Sequence, residues 1–284
     1  MKILLFGASG LLGRHLRQEF IAHEPTALSH AQADITNPAH LDALFRRHWD
    51  IVINAAAICD FDVCESDPAK TEKTNLDAPL DLARRCHNFG ALFVQFSSDY
   101  VFRGDENRPL SENDIPHPCS VYGRQKAELE RLLPAVCPRH LLIRLSWLYG
   151  SGGKTFMSRL PELLLQREVL QIASGKRGRC LYANDAAHWT ARLITSGHTG
   201  LFNLANDGDT SWEEFARVCL EKMRAMNLNP RCQQIQEIPY ENLGPNWSKR
   251  PRWSCLDTAK LRATSPPGPR PWREALADFL REQS

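Results

Sequence analysis

The sequence predicts an α/β fold organised as a doubly wound parallel sheet, with a smaller region toward the C-terminal end, on three observations. Short apolar runs at 2–6, 50–57 and 91–98 alternate with stretches whose apolar residues recur at helical spacing. Those runs are apolar at nearly every position, as strands covered by helices on both faces are. After residue 150 the alternation loosens, so a first domain is expected over 1–150 and a second region over 151–284, with some segments of the second returning to the first. A length of 284 residues agrees with that division at about 150 residues per domain.

Residues 2–6 (KILLF) form the first strand, and Leu11, Leu12, Leu16 and Phe20 mark one face of the helix that follows. A second strand is expected near 26–29. Asn37 and Pro38 supply a capping side chain and a first-turn proline for a helix running through 40–49. A strand at 50–57, an amphipathic helix over 69–88 and a strand at 91–98 continue the pattern. The polar stretch 103–118 exceeds the ~4–6 residues of a median connection, which marks it as a candidate functional loop. It leads to a helix over 121–133 and a strand over 140–150. Farther on, Gly175–Gly178 reads as a turn, and Thr210 with Glu213 reads as the capping box of a helix over 212–223. The stretch 244–254 reads as a loop rich in tryptophan, proline and base, and 271–282 as a final helix docked on the rest.

Thirty-five Lys+Arg against 33 Asp+Glu leave a charge of +2, too small an imbalance for a protein whose task is neutralising a phosphate backbone. No nucleic-acid partner is expected. Nine cysteines contain no CxxC pair, and Cys59 and Cys64 have no second pair to complete a zinc site. The expectation is reduced thiols in a cytoplasmic protein without a bound metal. The apolar run before Gly7 is too short for a signal peptide, and no stretch reaches the ~20 apolar residues of a membrane span, so no membrane partner is expected. Asp60, Asp62, Glu65 and Asp67 read as helix-start carboxylates favoured by the helix dipole.

Gly7, Gly10 and Gly13 sit between the first strand and the first helix, where a dinucleotide fingerprint belongs. Glycine at 7 allows a tight turn, glycine at 10 lets the backbone approach a pyrophosphate, and glycine at 13 packs helix on strand; Ser9 lies inside the same loop. This makes the sheet Rossmann-type. The second strand ends at Ser29 and His30 without the carboxylate that repels a ribose 2′-phosphate, which favours NADPH, with NADH as the alternative. Tyr122 and Lys126, four residues apart, share one helix face. A neighbouring ammonium is expected to draw the phenol pKa down, making Tyr122 a proton carrier, while Ser98 at the end of a strand polarises a substrate oxygen. Lys176, Arg177, Arg179, Lys249, Arg250 and Arg252 read equally as a diphosphate grip or as a solvated basic face. Trp147 reads as a stacking surface for sugar or base, or as core.

With these residues placed, the chain resembles the extended short-chain dehydrogenases/reductases, and among them the dTDP-4-dehydrorhamnose reductases. The resemblance rests on FGASGLLG (6–13), DIVINAAA (50–57), CESDP (64–68), SSDYVFRG (97–104), VYGRQKAELE (121–130), IRLSWLYG (143–150), SWEEFA (211–216) and RPRWSCLDTAKL (250–261). It implies Ser98, Tyr122 and Lys126 as a catalytic triad that reduces the C4 ketone of a nucleotide-linked deoxyhexulose. It further implies cofactor contacts at Gly10, Leu11, Leu12, Asp34, Ile35, Ala55, Ala56, Ala57 and Lys126, and substrate contacts at Cys59, Ser98, Asp99, Tyr122 and Trp147. A nucleotide sugar is thus the expected partner, and a homodimer is compatible with the resemblance. The chain departs from the family pattern at Ser98, commonly threonine, at Ile58, Cys59 and Phe61, and over GKRGRCLYA (175–183), where an Asp-Gln-Phe/Tyr-Gly run is usual. Two alternatives stay open: an NADP-binding regulatory subunit resembling the methionine adenosyltransferase beta subunit, and a sugar-nucleotide epimerase. Tyr100 after Asp99 disfavours dehydration, for which related enzymes carry Glu at that position.

Overall fold

The computed structural model describes residues 1–243 and 249–283. The first part of the chain alternates as expected: β1 (Ile3–Phe6), α1 (Leu11–Glu19), β2 (Thr26–Leu28), α2 (Pro38–Leu44), β3 (Ile51–Asn54), α3 (Phe61–Ser66) and α4 (Pro68–Glu72). It continues through α5 (Ala78–Phe89), β4 (Leu92–Ser98), α6 (Val121–Val136) and β5 (His140–Leu145). A less regular succession follows, of β6 (Trp147–Tyr149), α7 (Phe156–Gln166), β7 (Val169–Ser174), β8 (Arg177–Gly178), β9 (Cys180–Tyr182), α8 (Ala183–Thr195) and β10 (Gly200–Leu204). The chain closes with β11 (Thr210–Ser211), α9 (Trp212–Ala225), β12 (Gln234–Pro239), β13 (Trp253–Ser254), α10 (Ala259–Thr264) and α11 (Trp272–Arg281).

Among the described residues the main sheet runs β10-β5-β4-β3-β1-β2, parallel throughout. Successive side chains of a strand point to opposite faces and both faces are covered, which is why the strands are apolar at most positions, the polar ones such as Asn54, Gln95 and Arg144 being buried. Ile3 and Leu5 of β1 join Leu12, Leu16, Trp189 and Leu193 under α1 and α8. Leu4 and Phe6 join Leu41, Leu82 and Leu133 on the other side. A second core gathers Tyr149, Leu160, Tyr182, Phe215, Trp272 and Phe279 from later in the chain. The winding reverses between β1 and β3, and ligands of such sheets sit at that switch point, outside the carboxyl ends of the strands.

Several expectations need correcting. The strand read over 140–150 breaks at Ser146, where the hydroxyl and the next backbone N–H both donate to the Arg179 carbonyl, handing the chain from β5 to a pairing of β6 with β9. The α9 cap is Ser211, whose Oγ accepts from Glu214 N at 3.1 Å, because Thr210 is held extended against Gly178. The turn at 175–178 is confined to its start: Gly175 has φ +83°, while Arg177–Gly178 form β8 between β11 and β13. Trp253 and Ser254, read as loop, are therefore strand, and residues 244–248 of that stretch lie outside the described residues. α2 stops at Leu44, whose carbonyl accepts from Trp49 Nε1 at 3.0 Å. The helix over 69–88 contains a π-helical turn at Lys73–Asp77 that carries Asn75.

The loop 103–118 braces the fold. Leu110 N donates to Cys255 O and its carbonyl accepts from Asp257 N, both at 2.8 Å. Beneath it lies a buried ion pair: Arg144 of β5 donates from Nε and Nη2 to Glu130 of α6 at 3.0 and 2.7 Å, and from Nη1 to Ser111 O at 3.3 Å. The guanidinium also stacks over Phe102, 4.8 Å from the ring centre. Glu130→Ala would strand that guanidinium in the interior, and we expect urea titration to show a loss of about 3–5 kcal/mol of unfolding free energy. A loss below about 1 kcal/mol, the worth of an exposed pair, would contradict this assignment.

Candidate active site

The crevice at the switch point begins with the glycine loop. Gly7 adopts φ +75°, and a Cβ there would fall 2.6 Å from the Ala55 carbonyl carbon. A Cβ on Gly13 would fall 2.0 Å from Gly7 O, so helix and turn meet without room for a side chain. α1 starts after Gly10 with no side chain capping it, which leaves the first-turn N–H groups without partners at the positive end of the helix dipole. Ser9, Gly10, Leu11 and Leu12 line one end of a cavity of about 1000 Å³, together with Ala55, Ala56 and Ala57. That uncapped, side-chain-free cradle fits an anionic pyrophosphate.

The other expected cofactor residues are placed elsewhere. Gly7 shapes the turn without lining the cavity. Ser29 donates from its N–H and hydroxyl to Gln32 Oε1 at 2.9 and 2.8 Å. The Asp34 carboxylate accepts from Thr36 N and Oγ1, and the Ile35 side chain is buried with Leu4 and Phe6.

α6 is seated by three devices. Ser120 caps it, accepting from Gly123 N at 3.1 Å, and Glu65 accepts from Val121 N and from Lys249 Nζ, both at 2.7 Å. Gly123 permits contact with the 3-10 turn Asp99–Val101, since a Cβ there would lie 2.2 Å from Tyr100 O. This contact brings Tyr122 to the end of β4. Its Oη lies 3.7 Å from Cys59 Sγ, and its ring meets Tyr100 edge-on at 5.9 Å. Lys126, one turn later, donates to Phe96 O at 3.2 Å with its Nζ 5.7 Å from the Tyr122 ring centre. Ser98 donates to Asp99 Oδ1 at 3.0 Å and accepts from Tyr100 N at 3.2 Å. Cys59, Ser98, Asp99, Tyr100, Tyr122 and Lys126 line the cavity.

The electrostatics reverse one expectation. Burial pushes the Tyr122 phenol well above its ordinary value, with the Cys59 thiol adding to the rise, and burial also lowers the Lys126 ammonium. The lysine does not draw the phenol down here, because desolvation of the phenolate outweighs the field of an ammonium already engaged by a carbonyl. A neutral phenol facing a cavity is a proton donor.

Asn75 holds the loop bearing Cys59. It accepts from Ile58 N at 2.9 Å and donates to Ile58 O and Gln125 Oε1, both at 3.0 Å. π-helical turns of this kind occur frequently at functional sites. The opposite wall comes from beyond β5. Trp147 donates from Nε1 to Ser254 Oγ at 3.0 Å and meets Trp212 edge-on at 6.0 Å; Trp212 stacks on Phe156 at 5.3 Å. Trp212, Phe156 and Arg14 also line the cavity and were not anticipated: Trp212 lies in the SWEEFA stretch without a site role read for it, and no motif marks Phe156 or Arg14.

The six basic residues do not form one grip. Lys176 and Arg250 reach the cavity, whereas Arg179 pairs with Asp209 at 2.8 Å, Lys249 with Glu65, and Arg177 stacks on Trp253. Among the acidic residues Asp60 and Asp67 cap α3 and α4, and no metal-binding group of His, Cys, Asp or Glu occurs among the described residues. All nine cysteines are free. No helix of the described residues is long and apolar enough to cross a membrane.

Comparison with known proteins follows the same lines. Residues 1–284 match the family model described as RmlD substrate binding domain. The chain is 32% identical to the spore coat polysaccharide biosynthesis protein SpsK of Bacillus subtilis, over 100% of this chain and 98% of that protein. It is 32% identical to a dTDP-4-dehydrorhamnose reductase of Streptomyces griseus, over 97% of this chain and 91% of the relative. The crystal structure of dTDP-4-dehydrorhamnose reductase from Bacillus anthracis in complex with NADP aligns with a TM-score of 0.90 at 26% identity, covering 100% of this chain and 99% of that one. Because the match runs from the first residue to the last, over a glycine-loop crevice and a Ser98–Tyr122–Lys126 cleft, the chain belongs to the RmlD substrate binding domain family.

Proposed function

We propose that the protein reduces the C4 ketone of a nucleotide-linked 6-deoxy-4-keto sugar with NADPH, converting dTDP-4-dehydro-L-rhamnose to dTDP-L-rhamnose. The observation that carries this reading is Tyr122, a phenol kept protonated by burial in the cavity wall that also holds Ser98 and Lys126. Family membership and the NADP bound by the Bacillus anthracis relative support it.

NADPH, when bound, supplies the hydride to C4. The uncapped first turn of α1 and Ser9 would hold the pyrophosphate, and Ala55, Ala56 and Ala57 would form the adjoining wall. Ser29 follows β2, where no carboxylate opposes a 2′-phosphate, which favours NADPH over NADH. Asp34 and Ile35 complete that end in this reading, Ile35 through its backbone since its side chain belongs to the core. Tyr122 gives its Oη proton to the C4 oxygen. Ser98 turns its hydroxyl from Asp99 to the same oxygen, holding the negative charge that develops there. Lys126 stabilises the phenolate left behind. Cys59, Asp99 and Trp147 face the sugar, so residues 1–150 would hold the dinucleotide and supply the reacting groups, while 151–284 would complete the substrate wall.

Loss of reduced-nicotinamide absorbance, followed with NADPH and then NADH on dTDP-4-dehydro-L-rhamnose generated in situ, tests the reading. Tyr122→Phe is expected to lower turnover by about 10²–10⁴-fold, the usual worth of a positioned proton donor, with NADPH binding retained. Full turnover in that variant, or none in the wild type, would sink the proposal. A phenol pKa raised by burial keeps its proton to higher pH than a free tyrosine, so turnover by the wild type at saturating sugar nucleotide is expected to stay level between about pH 7 and 9. A decline across that range in step with one deprotonation would place the proton elsewhere. Cys59 is exposed and beside Tyr122, whereas Cys64, Cys86, Cys180, Cys219 and Cys255 are buried. Iodoacetamide should therefore label Cys59 ahead of those five, with turnover falling in parallel, as peptide mass spectrometry alongside the assay would show.

A further inference from the structure

Lys176 is an anomaly in the cavity wall. Its side chain is 1% exposed, and its Nζ makes no hydrogen bond. Three aromatic rings surround the ammonium, those of Trp212 at 5.0 Å, Tyr100 at 5.4 Å and Trp147 at 5.7 Å. Rings of this kind attract a cation but supply no acceptor. Asp99, which follows Ser98 directly, is the mirror case: it is 2% exposed, Oδ1 accepts from Ser98, and Oδ2 closes no hydrogen bond. The Ser254 hydroxyl, which already accepts from Trp147, interacts with the carboxylate without closing on Oδ2. The two charges attract each other across the cavity wall without closing a hydrogen bond. A buried cation and a buried carboxylate oxygen each left without a hydrogen bond cost folding free energy, unless a third group fills both needs.

We propose that Lys176 determines substrate specificity by holding, jointly with Asp99, one hydroxyl of the sugar ring, the hydroxyl accepting from Nζ and donating to Oδ2. A hydroxyl has both capacities. A ketone or ether oxygen could serve only the lysine, and a phosphate or carboxylate would be set against the Asp99 charge. Because Asp99 adjoins Ser98, the held hydroxyl lies beside the reacting carbon. The inference rests on the reading of the substrate as a nucleotide sugar, and it assigns Lys176 a task apart from the diphosphate.

The charged and titratable groups facing Lys176 are Asp99, Arg250, Cys119 and Tyr100; burial, helped by Arg250 and opposed by Asp99 and Cys119, brings the ammonium down to about 8. Its charge is therefore lost as pH rises through about 8, and the grip on the sugar weakens in that direction.

Isothermal titration of the full chain, preloaded with NADP+, with dTDP-L-rhamnose and with dTDP provides the test. The wild type should prefer the sugar nucleotide over dTDP. Lys176→Met should lose that preference by about tenfold or more, the worth of a hydrogen bond to a charged group, while dTDP affinity stays within about twofold. Lys176→Gln, which keeps a donor, should fall between, and only the wild type should lose preference as pH rises from about 7 to 9. Equal weakening toward dTDP and the sugar nucleotide would assign Lys176 to the diphosphate and overturn the proposal. So would an unchanged preference in both variants, or a wild type that does not distinguish the two ligands. A Lys176-dependent preference in a wild type that reduces no keto sugar would uphold the clamp and remove the reductase reading instead.

Discussion

Glu130 and Arg144 meet in the interior between α6 and β5, and every distance in the cleft depends on where that pair holds the helix. Glu130 stands one turn beyond Lys126 on the same face, and Lys126 one turn beyond Tyr122, so a shift of α6 would move all three together. The other ends of the arrangement are equally constrained. Arg144 also engages Ser111 O in the long loop, and the absent side chain of Gly123 lets the helix rest on the turn that follows Ser98. A buried pair of charges is tolerated here because its geometry is bidentate and the guanidinium is further covered by Phe102.

The same dryness that makes the ion pair costly to break governs the chemistry. Tyr122, Lys126, Asp99 and Lys176 are each displaced toward the neutral form, chiefly by burial. For a reduction this is productive, since the reaction needs a proton delivered to an oxygen as it gains charge. It also raises the worth of every polar contact a ligand can make in the cleft, because those groups exchange little hydration for it.

Features set by neighbouring residues were legible in the sequence. The glycine loop, the Tyr122–Lys126 step and the strands up to β4 follow from local spacing and from continuous apolarity, and the structure places them in one crevice. What escaped was tertiary. Thr210 satisfies the capping pattern, but a strand partner at Gly178 holds it and moves the cap to Ser211. The run 140–150 has strand composition throughout, yet a carbonyl from Arg179 breaks it at Ser146. Lys176 reads as one of several bases, in a diphosphate grip or on a solvated face, until three rings from separate segments close around it. Trp212, marked by SWEEFA only as part of a helix start, and Phe156, in no motif, enter the site through the second core.

The outer strand of the main sheet has a consequence for synthesis. β5 is complete at Leu145, but its neighbour β10 ends only at Leu204, and α8, which covers α1, lies between them in the chain. The roughly sixty intervening residues take about 3–12 s to make at about 5–20 residues per second. Throughout that interval the nascent chain carries an apolar sheet with an open parallel edge and one face covered by α1 but not yet by α8, the form of surface most prone to pair with another chain. The span between the emergence of β5 and that of β10 is therefore when this protein most depends on the ribosome surface or a chaperone to stay on its folding route.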